Sequence, residues 1–159
     1  HQGNVISQPV RQIALDSTQE FLLLELEDEG SQTGDAARIL LYEVRGLIAK
    51  SAEAQEQEQI KPILVLKSSD VRSLLGFCGT KLAFLDKNLW VRSYEFANRP
   101  VGNRDGVAGA EGALRHFFIP FELVGSNNGI DGAVTKSGDI VFPKEGELGV
   151  VRNALTWSI

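Results

Sequence analysis

At 159 residues the chain has the size of one domain and is long enough to bury a core. Its 16 basic and 21 acidic residues leave a net charge of −5, which argues against nucleic-acid backbone as the main partner. No apolar run nears the ~20 residues of a membrane-spanning helix, so no membrane partner is expected. The one cysteine cannot close an internal disulfide, and a reducing, cytoplasmic setting is the expectation.

In chain order, 1–15 is a lead-in broken by Pro9, with Val10–Leu15 able to form a short strand. The chain starts at His1 and holds no methionine, which reads as a processed protein or, preferably, a piece of a longer one. Phe21–Leu26 (FLLLEL) is a buried strand closed by the turn cluster Asp28-Glu29-Gly30. Arg38–Val44 is taken as the strand that pairs with it. Residues 49–60 are a polar linker or weak helix without an apolar face, and are expected to be flexible. Acids crowd the region from Asp16 to Ile60, which is read as a solvated face and linker.

Pro62–Leu66 is the next strand, with Pro62 at its entrance, where a missing N–H costs least. After a turn over Ser68–Val71 comes a short strand, Leu74–Phe77. Lys81–Leu85 and Leu89–Phe96 flank Asp86-Lys87-Asn88 as a β-hairpin. Its second arm alternates, with Trp90, Arg92, Tyr94 and Phe96 on one face and Leu89, Val91, Ser93 and Glu95 on the other. Residues 98–113 hold four glycines and a proline and are expected to be a flexible surface loop. Order resumes at Leu114–Pro120 and Phe121–Val124. Ala133–Thr135 and Asp139–Phe142 form a tight hairpin around Lys136-Ser137-Gly138. A turn over Pro143–Glu147 and a strand over Leu148–Val151 follow, and Ala154–Trp157 closes the chain. Strands recur every ~8–12 residues with no βαβ alternation, so the expected class is all-β, as a single domain over 1–159.

The residues carry no phosphate-binding fingerprint: Gly106, Gly109 and Gly112 have no strand before them and no helix after them. Cys78 and His116 offer a nucleophile and a base by type, but Cys78 sits on an apolar strand end, where an inert thiol is usual. A free N-terminal His1 together with His116 has the donors of a copper brace, as in lytic polysaccharide monooxygenases, since amine and imidazole nitrogens suit Cu(II). Nothing singles out a pair of carboxylates for glycoside hydrolysis.

Three stretches together carry a family likeness: KLAFLDKNLWVRSYEF over 81–96, RHFFIP over 115–120, and GDIVFPKEGELGVVRNAL over 138–155. This pattern resembles the C-terminal end of large fungal NACHT-domain proteins of the STAND class, in which an NTPase precedes WD40-type β-propeller repeats. The likeness runs from about Glu20 to Leu155. No Trp-Asp dipeptide and no Gly-His repeat start is present, so the implied blades are degenerate. A blade takes ~40–45 residues, so about three fit here, fewer than the four of the smallest closed propellers. The alternative is a small self-contained β-barrel or sandwich.

The resemblance implies a non-catalytic module that binds a protein or small ligand in signalling or nonself recognition, with no cofactor. Trp90, Arg92, Tyr94 and His116 are its exposed aromatic or polar binding candidates. The bland alternative has Trp90 and Tyr94 filling the core between blades. Open sheet edges imply self-association. Two other readings stay open: a copper-dependent oxidase using His1 and His116, and a purely structural closing segment.

Overall fold

A computed structural model describes residues 9–27, 36–44, 61–67, 69–96, 110–120, 132–144 and 146–156. These form eleven strands and one 3-10 turn, in three antiparallel sheets. The first sheet is a meander of β1 (Val10–Leu15), β2 (Phe21–Glu27), β3 (Ala36–Glu43) and β4 (Leu64–Lys67). The middle sheet is a second meander of β5 (Val71–Cys78), β6 (Lys81–Asp86), β7 (Trp90–Glu95) and β8 (Leu114–Phe118). The third sheet runs β11 (Glu147–Val151), β10 (Ile140–Lys144), β9 (Ala133–Val134). The fold is all-β. Each sheet joins its strands neighbour to neighbour, and none of them closes into a barrel among the described residues.

The middle sheet is buried on both faces, and the sequence of β6 shows why. Lys81–Asp86 reads KLAFLD, an unbroken apolar run rather than an alternating one, as a strand covered on both sides must. Leu82 and Phe84 point into a core shared with Leu23, Ile39, Leu41, Leu64 and Leu66 of the first sheet. Ala83 and Leu85 point the other way, into a core with Ile140 and Phe142 of the third sheet. The alternation expected for β7 holds: Tyr94 and Phe96 join the first core, Leu89 and Val91 the second. On the third sheet's side the packing is tight. A Cβ on Gly132 would fall 2.9 Å from both Leu75 and Phe142, so no larger residue fits without moving them.

The two end sheets keep an apolar outer face as well. On the first sheet Ile13, Leu24, Leu40 and Val65 stand opposite one another across all four strands, beside a second row of Leu15, Leu22 and Tyr42. Ile13 is 64% exposed and Leu15 51%. On the third sheet Val150 pairs with Val141 and Leu148 with Pro143, and Leu148 is 70% exposed. The stack therefore ends in aliphatic surface at both of its outer faces.

Several expected boundaries shift. β5 starts at Val71 rather than Leu74, because Val71 pairs with Asp86 and is buried in the first core. β10 runs on through Pro143, expected as the start of a turn. Among the described residues β9 reaches only Ile140 and Val141, so no described strand meets Pro143 on that side, where a missing donor costs little. The segment that closes the chain forms a turn over 152–156, which buries Ala154 and Leu155 in the second core. Of the 98–113 loop, Ala110–Gly112 forms the 3-10 turn, with Ala110 and Ala113 buried against the first core. Instead of closing into a barrel, the described sheets pack face to face in three layers. Residues 49–60, 98–109 and Phe121–Val124 lie outside the described residues.

Turns are fixed by aspartates. Asp16 is buried between β1 and β2, and its carboxylate accepts from the Phe21 N–H (2.9 Å), the Thr18 N–H (3.0 Å) and the Thr18 hydroxyl. Burial pushes its carboxyl up, but these hydrogen bonds outweigh that and hold it below its ordinary value of 3.8. Asp139, between β9 and β10, is held below the same value by the Asn153 N–H and the Ser137 hydroxyl. A depressed carboxylate stabilises the fold above its unfolded pKa, and that contribution is lost as pH falls through its folded pKa. The melting temperature is thus expected to hold at mildly acidic pH and to fall below about pH 4. In Asp16→Asn a thermal melt series over pH should show a lower plateau and a shallower acid decline.

Candidate functional site

Three of the four candidate residues, Trp90, Arg92 and Tyr94, share the face of β7 that looks toward the first sheet, and the structure separates them by how far that sheet reaches. Tyr94 stands opposite Leu82 and is buried in the first core, with the edge of its ring 3.5 Å from where a Cβ on Gly112 would lie. Phe96, at the same end, packs its ring 4.3 Å from Phe21. Toward the other end of the strand the cover stops. Arg92 is mostly buried and Trp90 half-buried, while Phe118, opposite Trp90 on β8, is 48% exposed. Tyr94 and His116 are therefore not the exposed residues expected, and Trp90 lies at the rim of the core.

Arg92 sits in the middle of a row across the sheet, with Phe84 on one side and Arg115 on the other. Its guanidinium lies 6.0 Å from the Phe84 ring centre, donates to the Ala113 carbonyl at 2.9 Å, and has Asp86 at 4.0 Å. Its Nε is buried without a hydrogen-bond partner, as is that of Arg72. Asp86 is itself buried, and its Oδ1 already accepts from the N–H groups of Asn88 (2.9 Å) and Trp90 (3.0 Å). These bonds hold the β6–β7 turn, in which Leu89 takes a φ of 64°.

His116 owes its place to a β-bulge. Val91 pairs with Phe117 and Arg92 with Arg115, so His116 is the extra residue of β8. The bulge aims its ring inward, where Nε2 lies 2.8 Å from the Ser93 hydroxyl and the side chain is 3% exposed. It also reverses the alternation of β8, which brings Arg115 and Phe118 to the same face. There the Arg115 guanidinium lies 5.7 Å from the Trp90 ring centre, and the Phe118 ring meets Trp90 edge-on at 6.0 Å. Arg115 and Phe118 were missed by sequence reasoning. Strict alternation puts them on opposite faces, and a one-residue bulge leaves no mark in composition.

The chemistry weighed from sequence finds these places. Cys78 ends β5 and His116 lies on β8, at opposite edges of the middle sheet. Three strand spacings, roughly 14 Å, lie between those strands, so the two do not form a nucleophile–base pair. Burial pushes the Cys78 thiol up, and its Sγ lies 3.7 Å from the Lys136 carbonyl. His1 lies outside the described residues. Among the described residues no three His, Cys, Asp or Glu side chains gather to hold a metal, and no helix is long and apolar enough to cross a membrane.

What the arrangement offers is a ledge of Trp90, Phe118, Arg115 and Arg92 along an edge strand, apolar and cationic together. The chain matches no protein-family model, and no curated protein is significantly similar to it.

Proposed function

We propose that this chain is a non-catalytic protein-interaction module, the propeller-type sensing part of a fungal STAND-class signalling protein acting in the cytoplasm. The observation that carries the reading is the aliphatic outer face at each end of the stack. Within the chain such faces are covered by another sheet, with Leu and Phe side chains meeting between them. Ile13 and Leu15 at one end, and Leu148 and Val150 at the other, offer the same surface to a further protein. Contiguous exposed apolar surface of this kind marks protein contact sites. The family likeness of 81–96, 115–120 and 138–155 supplies the signalling context.

In the isolated chain the available cover is a second copy, with the first sheet of one molecule on the third sheet of the other. Because that head-to-tail contact leaves one end of each kind open, light scattering after size exclusion is expected to show a mass that rises with concentration through the dimer to larger species. The double variant Ile13→Lys with Leu148→Lys should run as a monomer with little change in melting temperature, since both side chains are exposed. A wild-type chain that stays monomeric throughout, with the double variant indistinguishable from it, overturns the reading.

A further inference from the structure

We infer that the edge of β8 left unpaired among the described residues is a docking site for an extended acidic protein segment, which adds to the middle sheet as a fifth strand. β8 is the last strand of that sheet and, among the described residues, pairs only with β7. An unpaired edge presents a row of backbone donors and acceptors that a second chain can complete. Leu114, Arg115 and Phe118 along it are exposed.

Charge says what kind of segment fits. Arg92 and Arg115 stand directly opposite each other on one face, an arrangement that is unfavourable for like charges. The carboxylate near them, Asp86, lies 4.0 Å from Arg92 and is occupied by two backbone N–H groups. Among the described residues Arg115 has no ion pair; its contact is the face of Trp90. A guanidinium lying over an indole ring keeps its N–H fork available for a carboxylate arriving from the open side. The site thus gathers cationic groups on a chain whose net charge is −5, and an acidic strand is complementary to it.

The bulge at His116 makes the pattern specific. By placing Arg115 and Phe118 on one face beside Trp90, it joins a carboxylate receptor to an aromatic shelf. A segment of about five residues with its acids on one face covers both, matching the length of Leu114–Phe118. The inference does not depend on what covers the end sheets, because none of Ile13, Leu15, Leu148 or Val150 lies on the middle sheet.

The test uses the whole chain and a blocked hexapeptide alternating glutamate and valine, with the lysine–valine peptide as control. The glutamate peptide is expected to bind, to shift the backbone amide resonances of 114–118, and to weaken when salt is raised. Arg115→Glu should weaken it about tenfold or more, the loss of one charge-assisted contact, and Phe118→Thr should weaken it without changing the salt dependence. Both side chains are exposed, so both variants should fold, as melting temperatures will check. Absence of binding, equal binding of the lysine peptide, or unchanged affinity in Arg115→Glu overturns the inference. So does a change in oligomeric mass caused by Arg115→Glu alone, which would mean that the edge pairs with a second copy.

Discussion

Phe84→Ala is expected to destabilise the protein by about 3–5 kcal/mol, the range for emptying a buried phenylalanine site. That is a fifth or more of the roughly 5–15 kcal/mol by which a typical domain is stable. Phe84 is fully buried at the centre of the middle sheet, between Leu74 on β5 and Arg92 on β7. Its loss leaves a cavity between the first two sheets, and it also removes the ring beside which the Arg92 guanidinium rests. Urea unfolding followed by fluorescence should show a lower midpoint with an unchanged slope. Val150→Ala, on an exposed outer face, should stay within about 0.5 kcal/mol. A small effect at Phe84 would mean that the first and middle sheets do not pack through it.

Asp86→Ala has the second largest expected effect, about 2–4 kcal/mol, for a different reason. The side chain caps the β6–β7 turn through two N–H groups and is the carboxylate beside Arg92. Removing it strands two donors and leaves a mostly buried cation whose Nε already lacks a partner, and a charge left unpaired in a protein interior is costly. Asp86→Asn separates the two contributions. It retains an oxygen for Asn88 and Trp90 but not the charge, so it should recover part of the loss. Equal unfolding midpoints for the two variants would assign the whole effect to the charge.

The hairpin around Asp86 was the most legible part of the sequence. Its second arm alternates strictly, and Asp86-Lys87-Asn88 marks the turn, so the strands and the facing of Trp90, Arg92, Tyr94 and Phe96 followed from period alone. β1, β2 and β3 were legible too, because apolar density and turn clusters bound them. Burial at each end of β7 was not. Tyr94 and Trp90 have the same facing, and only the reach of the first sheet covers one and leaves the other at the rim. His116 was misplaced for a local reason, since a bulge re-aims a side chain without altering residue type or spacing. The ledge formed by Arg115 and Phe118 exists only once the bulge is known.

The two cores share no residue: one joins the first sheet to the middle sheet, the other joins the middle sheet to the third. The protein is therefore energetically a linear array, in which each layer senses only its neighbours. Damage confined to Leu41 and damage confined to Phe142 should add without interaction, because neither shares a partner with the other. Loss of the middle layer removes both junctions at once, whereas loss of either end layer leaves one junction whole. Among the described residues, whatever docks on one end of the stack is felt at the other through β5–β8, which makes those four strands the conduit for any message between the two ends.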